Sequence, residues 1–207
     1  MKLSSFFAGT AALVAATALP ATSAQADVMP WKMTRNANSF EILLSMPEQG
    51  DAPTLRAAQT WTDVGSRLTF TYDGLEQVED FSQVAANDQA GTQIQPKPTS
   101  FYAGDPSWAG LAYRTAATST TTSDADIVIN ADKIAAGSFY YGTGTPPSNQ
   151  SDYESVMVHE FGHVVGFDHD DNLTPYCVMV SKIYGNWVAR TPCTSERGTL
   201  RTKYGVR

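Results

Sequence analysis

Residues 159–169 constrain this chain more than any other stretch: His-Glu-Phe-Gly-His-Val-Val-Gly-Phe-Asp-His. His159 and His163 are four residues apart, and on a helix that spacing puts both imidazoles on one face, one turn apart. Glu160 follows directly, turned about 100° around the helix axis, so it lies beside whatever the histidines hold without being forced to bind it. Gly166 supplies the left-handed backbone that ends a helix and reverses the chain. His169, three residues on, is then placed to come back to the same point. The chain has three histidines in all, and every one falls in this pattern, which scatter would not produce.

Three neutral imidazoles and one open position suit Zn²⁺, which takes four ligands and makes no strong geometric demand of its own. A water in the open position has its pKa lowered to about 7. Glu160 is placed to take its proton as hydroxide attacks a carbonyl carbon, and to pass that proton to the leaving amine.

His159-Glu160-x-x-His163-x-x-Gly166-x-x-His169, followed by a methionine turn, resembles the metzincin clan of zinc endopeptidases, and within it the small bacterial matrixin-like enzymes. The resemblance implies an α+β catalytic domain of the zincin type: a twisted, mostly parallel sheet, an active-site helix and a small C-terminal subdomain. It implies a zinc-bound water, a glutamate base and hydrolysis of internal peptide bonds. Residue by residue, His159, His163 and His169 match the metal ligands and Glu160 the base. Met179, in Cys177-Val178-Met179-Val180, matches the methionine beneath the metal and lies ten residues past His169. The likeness is strongest over 151–180. It extends to Ala57-x-x-x-Trp61 with Leu68-Thr69-Phe70, and to Ala125-Asp126-Ile127. Ser181 departs from the pattern, standing where many matrixins have Pro and where astacin-like and serralysin-like enzymes have a Tyr ligand. Tyr184 is given no ligand role. Both cysteines follow the site, so an inhibitory pro-segment that blocks zinc with a cysteine is not expected.

The chain opens Met1-Lys2, runs through an apolar, alanine-rich stretch to Leu19, and reaches Ala24-Gln25-Ala26 before Asp27. A basic start, a short apolar core and a small-x-small site read as a secretory signal over 1–26. Gly9, several Thr and Pro20 make the run a poor membrane span. No second run is long enough to cross a membrane. Residues 27–207 are then one catalytic domain, expected to be secreted and monomeric.

Removing 1–26 takes away only Lys2, so 14 basic residues become 13 against 21 acidic ones, a net charge of −8. That balance argues against nucleic acid or an anionic membrane as partner and leaves a protein or peptide substrate. The two cysteines, Cys177 and Cys193, suggest one disulfide in a secreted chain, contributing about 3 kcal/mol through the unfolded state.

Along the chain, 27–38 reads as an extended arm and 39–46 as a buried strand. Asp51 is placed to cap a helix to about Val64, with Ala57, Trp61, Val64 and Leu68 as its core stripe and Gly65 as its stop. Residues 68–72 read as a strand, Asp73-Gly74 as a turn and 75–105 as a surface loop. Trp108–Tyr113 and Asp124–Asn130 read as strands. Asp124, Asp126 and Asp132 are candidates for a structural Ca²⁺, against the plainer alternative of a solvated strand end. Either Gly137–Gly142 or 108–113 is the cleft-side strand that an extended peptide would pair with.

Ser151-Asp152-Tyr153-Glu154 has capping-box spacing, which starts the active-site helix at Asp152. That helix is apolar on most sides, as a buried helix is. Asp168, Asp170 and Asp171 either orient His169 or form a solvent-facing acidic turn. Ser181–Trp187 is a candidate pocket wall, and Thr194 is expected to cap a last helix ending at Gly205.

Two readings compete with a secreted zinc endopeptidase: a catalytically silent zinc-containing binding domain, and a zinc hydrolase acting on a non-peptide substrate. A silent domain has no need of Glu160 beside the metal. Ester and amide substrates separate the second.

Overall fold

A computed structural model describes residues 29–76, 91–103, 105–116, 118–172, 177–182 and 185–207. The stretch expected to be a signal, 1–26, lies outside them, as does Tyr184. In chain order the elements are β1 (Lys32–Met33), β2 (Ala37–Leu43), α1 (Asp51–Thr62), β3 (Thr69–Glu76), β4 (Thr92–Lys97), β5 (Gly110–Ala116), β6 (Thr121–Asn130), α2 (Ala131–Ala135), β7 (Phe139–Tyr140), β8 (Ser151–Asp152), α3 (Tyr153–Val164) and α4 (Thr194–Tyr204).

Strands β1 to β6 form one sheet, ordered β1-β6-β4-β2-β3, with β5 paired to β6. Every pairing is parallel except β5 with β6. The fold is therefore α+β with a mostly parallel sheet, as expected. Parallel neighbours need long crossovers, and α1 is the crossover from β2 to β3. β6 is buried at every residue from Asp124 to Asn130, the pattern of a strand covered on both faces.

The core forms where the sheet meets α1 and α3. The stripe Ala57, Trp61, Val64 and Leu68 is buried throughout. Trp61 Nε1 donates to Val158 O in α3 at 2.8 Å, which ties the two helices together. Phe161 of α3 packs on Phe40 of β2 and Phe70 of β3, with ring centroids 5.4 and 4.9 Å apart. Such aromatic pairs add about 0.5–1.5 kcal/mol beyond area burial. Gly162 makes the approach possible. A Cβ there would run into the Met179 thioether and stand 3.0 Å from Trp61 Cζ2. Gly162→Ala is expected to destabilise the fold by about 1–3 kcal/mol through overpacking. Urea unfolding checks this, and an unchanged midpoint would contradict the packing described.

Several boundaries differ from expectation for identifiable reasons. Asp51 is the first residue of α1, not its cap; Gly50 precedes it without a side-chain cap. Asp73-Gly74 is no turn but lies inside β3, where the register with β2 slips between Phe40 and Glu41 and leaves Asp73 unmatched. Gly74, at φ +121°, supplies the backbone that such a bulge needs. The stretch read as loop from 75 to 105 contains β4, a central strand. Pro96 weighs against a central strand, but β2 pairs only with Thr92–Ile94, so Pro96 falls beyond that partner. Asp152, not Ser151, caps α3, accepting from Ser155 N at 2.9 Å. Cys193 caps α4 in place of Thr194. Among the described residues no helix is long and apolar enough to cross a membrane.

Candidate metal centre and active site

α3 carries the first two histidines, and its stiffness comes from both ends. At the start, Asp152 caps the helix and receives Arg190 in a two-bond pair, Nε to Oδ2 at 2.9 Å and a terminal guanidinium nitrogen to Oδ1 at 2.5 Å. Arg190 also donates to the carbonyls of Gly142, Thr143 and Gly144, pinning the loop after β7 to the same point. Glu154 pairs with Arg56 of α1, and its Oε2 also lies 3.8 Å from Arg190 Nε. At the end, Gly166 at φ +87° reverses the chain. Gly166 N then donates to His163 O and Phe167 N to Gly162 O, which satisfies the last helical carbonyls. A Cβ on Gly166 would stand 2.5 Å from Trp31 O, so only glycine fits.

The reversal brings all three histidines together. The Nε2 atoms of His159 and His163 are 3.0 Å apart, those of His159 and His169 3.1 Å, and those of His163 and His169 3.2 Å. His159 Nδ1 lies 2.7 Å from Val178 O and His163 Nδ1 2.9 Å from Phe167 O. A carbonyl only accepts, so each Nδ1 carries the proton and each Nε2 presents a lone pair. Burial holds His159 well below the usual imidazole pKa, with His163 adding to the effect, and burial pushes His163 down to about 4. Neutral lone pairs facing one another at 3 Å repel unless a cation lies between them. Three nitrogens at 2.0–2.1 Å from a tetrahedral ion would stand about 3.3 Å apart, close to the spacing found. The donor set therefore fits a metal ion, and the three side chains form a group that could hold one.

Glu160 is 4 % exposed. Burial raises its carboxyl pKa to about 8, and a cation on the adjacent histidines would favour the carboxylate again. Among the described residues its Oε2 has no hydrogen-bond partner. Gly110, the first residue of β5, lies over it: a Cβ there would be 2.8 Å from Glu160 Cγ and 2.9 Å from Oε1. The start of β5 thus lies against Glu160, and among the described residues only β6 pairs with β5. The segment from Gly137 to Gly142 instead forms β7, which pairs with β8.

Behind the histidines the chain turns at Cys177–Val180. Met179 is fully buried, its thioether against Gly162. Cys177 and Cys193 form a disulfide. Glu196, fully buried on α4, accepts from Met179 N at 2.8 Å, Cys193 N at 2.7 Å and Val178 N at 3.3 Å. Burial raises its pKa, and those three amides pull it back. Val178 O, on the same turn, receives His159 Nδ1. Glu196→Gln would set an amide donor against one or two of these N–H groups, leaving them unsatisfied at a cost of about 1–3 kcal/mol. The variant is expected to melt earlier and to bind a divalent metal ion more weakly, measured by calorimetry and by competition with a chromogenic chelator. Parent-like values in both would remove Glu196 from the support of the site.

The carboxylates around His169 do other work. Asp168 Oδ1 accepts from His169 N at 2.8 Å, Asp170 Oδ1 from Asn172 N, and Asp171 from Ser181 N and Oγ. The calcium candidates are spread out: Asp126 accepts from Gln93 N and Asp132 from Thr99 N, and among the described residues they form no metal-binding group with Asp124. Gly110, Gly162 and Glu196 were not singled out from the sequence. The glycines matter only through contacts across the fold, and Glu196 looks like any helical surface acid.

No protein-family model matches the sequence, and no curated protein does. Among solved structures, the chain superimposes on myroilysin with a TM-score of 0.46 at 12 % identity, over 86 % of this chain and 98 % of that one. It superimposes on the GM1-bound form of the ECX AB5 holotoxin with a TM-score of 0.44 at 10 % identity, over 82 % and 80 %. Superpositions of that quality do not extend to the chemistry of either protein.

Proposed function

We propose that the chain is a zinc-dependent endopeptidase that hydrolyses internal peptide bonds, with His159, His163 and His169 holding the zinc and Glu160 as the base. One observation carries this: three imidazole Nε2 atoms converge within 3.2 Å, and the next residue after His159 is a buried glutamate whose Oε2 has no partner among the described residues.

Bound by the three histidines, zinc supplies Lewis acidity, acidifying water and polarising a carbonyl. The chain supplies the rest. Val178 O and Phe167 O hold the tautomers of His159 and His163, so that both Nε2 atoms stay free to bind. Glu160 Oε2 takes the proton of the attacking water and delivers it to the departing amine nitrogen. Gly110 brings β5 close enough for an extended peptide to pair with its open edge while its carbonyl carbon lies near Glu160.

Residues 1–26 are the export signal in this reading, and 27–207 the single catalytic domain. The Cys177–Cys193 disulfide fits the oxidising compartment that export implies. Cleavage of a mixed fluorogenic peptide library by the purified protein tests the proposal. Cuts at internal bonds that stop on adding a zinc chelator are expected. Cuts that persist with the chelator would overturn the metal's role, and esters hydrolysed in place of peptides would overturn the substrate class.

A further inference from the structure

A cavity of about 380 Å³ is lined in part by His163 and His169. It shares these two residues with the proposed catalytic centre, and its size suits a large side chain. Ala112 and Arg114 of β5, on the face that Gly110 turns toward Glu160, line one wall and Phe167 lines another; the far wall is Trp31, from the arm that precedes β1. The lining is predominantly apolar. Trp31 is 5 % exposed, with the Arg114 guanidinium 4.8 Å from its ring centroid and Lys203 Nζ at 5.9 Å. Cations placed over an indole face hold it still. The arm itself is anchored at the site. Met29 N donates to Gly166 O at 3.0 Å, and Lys203 Nζ donates to both Met29 O and Gly166 O. The wall is therefore fastened to the same glycine that turns the chain between the second and third histidines.

The direction of β5 decides which part of a peptide meets this cavity. Gly110 lies at Glu160, and β5 runs from there past Leu111, Tyr113 and Arg114. A peptide adding to the open edge in the more stable antiparallel sense runs the opposite way. Residues opposite 111–114 then precede the bond held at Glu160.

We infer that this cavity is a specificity pocket for a large apolar or aromatic side chain on the N-terminal side of the scissile bond, with Trp31 as the residue that sets the preference. The inference rests on the endopeptidase reading. The zinc-loaded protein is given a peptide library, and the cut ends are sequenced. Phe, Leu or Met is expected to be enriched at one position within about three residues before the cut. For a matched pair of peptides, Phe against Gly at that position, Trp31→Ala is expected to lower the Phe:Gly ratio of kcat/KM by about ten-fold, mostly through KM. Trp31→Phe should restore most of the ratio. Ala112→Leu, on the open strand, needs no repacking of the arm and should narrow the cavity, shifting the preference from Phe toward smaller side chains. Cleavage with no preference before the cut, or with preference only after it, overturns the pocket and leaves the endopeptidase standing. A parent-like ratio in both Trp31→Ala and Ala112→Leu overturns it as well. A zinc-loaded protein that cuts no peptide overturns the endopeptidase reading and the pocket with it.

Discussion

Replacing Glu160 by glutamine is expected to lower kcat/KM for peptide cleavage by about 10²–10⁴-fold, the usual contribution of a positioned general base, with zinc content unchanged. Glutamine keeps the shape of glutamate, so it fills the same space under Gly110, where a Cβ would already stand 2.8 Å from Glu160 Cγ. What it loses is the ability to accept a proton. The buried Oε2, without a partner among the described residues, is the atom the proposal gives that task. The histidines keep their backbone carbonyl partners, so the metal site should be intact. Steady-state kinetics with metal analysis on the same sample separate the two effects. A glutamine variant that cleaves as fast as the parent would sink the assigned role.

His163→Ala is expected to abolish both zinc retention and turnover. The three Nε2 atoms form a near-equilateral triangle, with that of His163 3.0 Å from that of His159 and 3.2 Å from that of His169. Without it two imidazoles remain, too few for the three protein ligands of a catalytic zinc site. The loss has a thermodynamic readout that does not depend on catalysis. A ligand that binds only the folded state stabilises it by about 4.1 kcal/mol at a thousand times its Kd. Added zinc should therefore raise the melting temperature of the metal-free parent and leave that of the variant nearly unmoved. A variant with full metal occupancy and the same zinc-dependent shift would contradict the ligand assignment.

The convergence of the three histidines was legible because its information is local. Four-residue spacing on a helix places His159 and His163, and one glycine turns the chain so that His169 follows. The core stripe from Ala57 to Leu68 was legible for the same reason, since helical periodicity survives in the sequence. Features set by distant partners were not. Pro96 argues against a central strand until the register shows that β2 stops at Ile94. Asp73-Gly74 has turn chemistry, and only pairing with β2 makes it a bulge within β3. Ser151 and Glu154 have the spacing of a capping box, yet Arg56 draws Glu154 away and Asp152 takes the cap. Glu196 supports the turn beneath His159 from a helix at the other end of the chain's second half, and no spacing rule connects the two.

If zinc held by these three histidines enables peptide hydrolysis, activity must follow the metal. Zinc titrated back into the chelator-stripped protein, with peptide cleavage followed at each addition, measures this. Cleavage is expected to be absent at the start, to rise in proportion to zinc and to reach its plateau at one ion per chain. Full cleavage by the stripped protein, or a protein that binds one zinc and still cuts nothing, would contradict it.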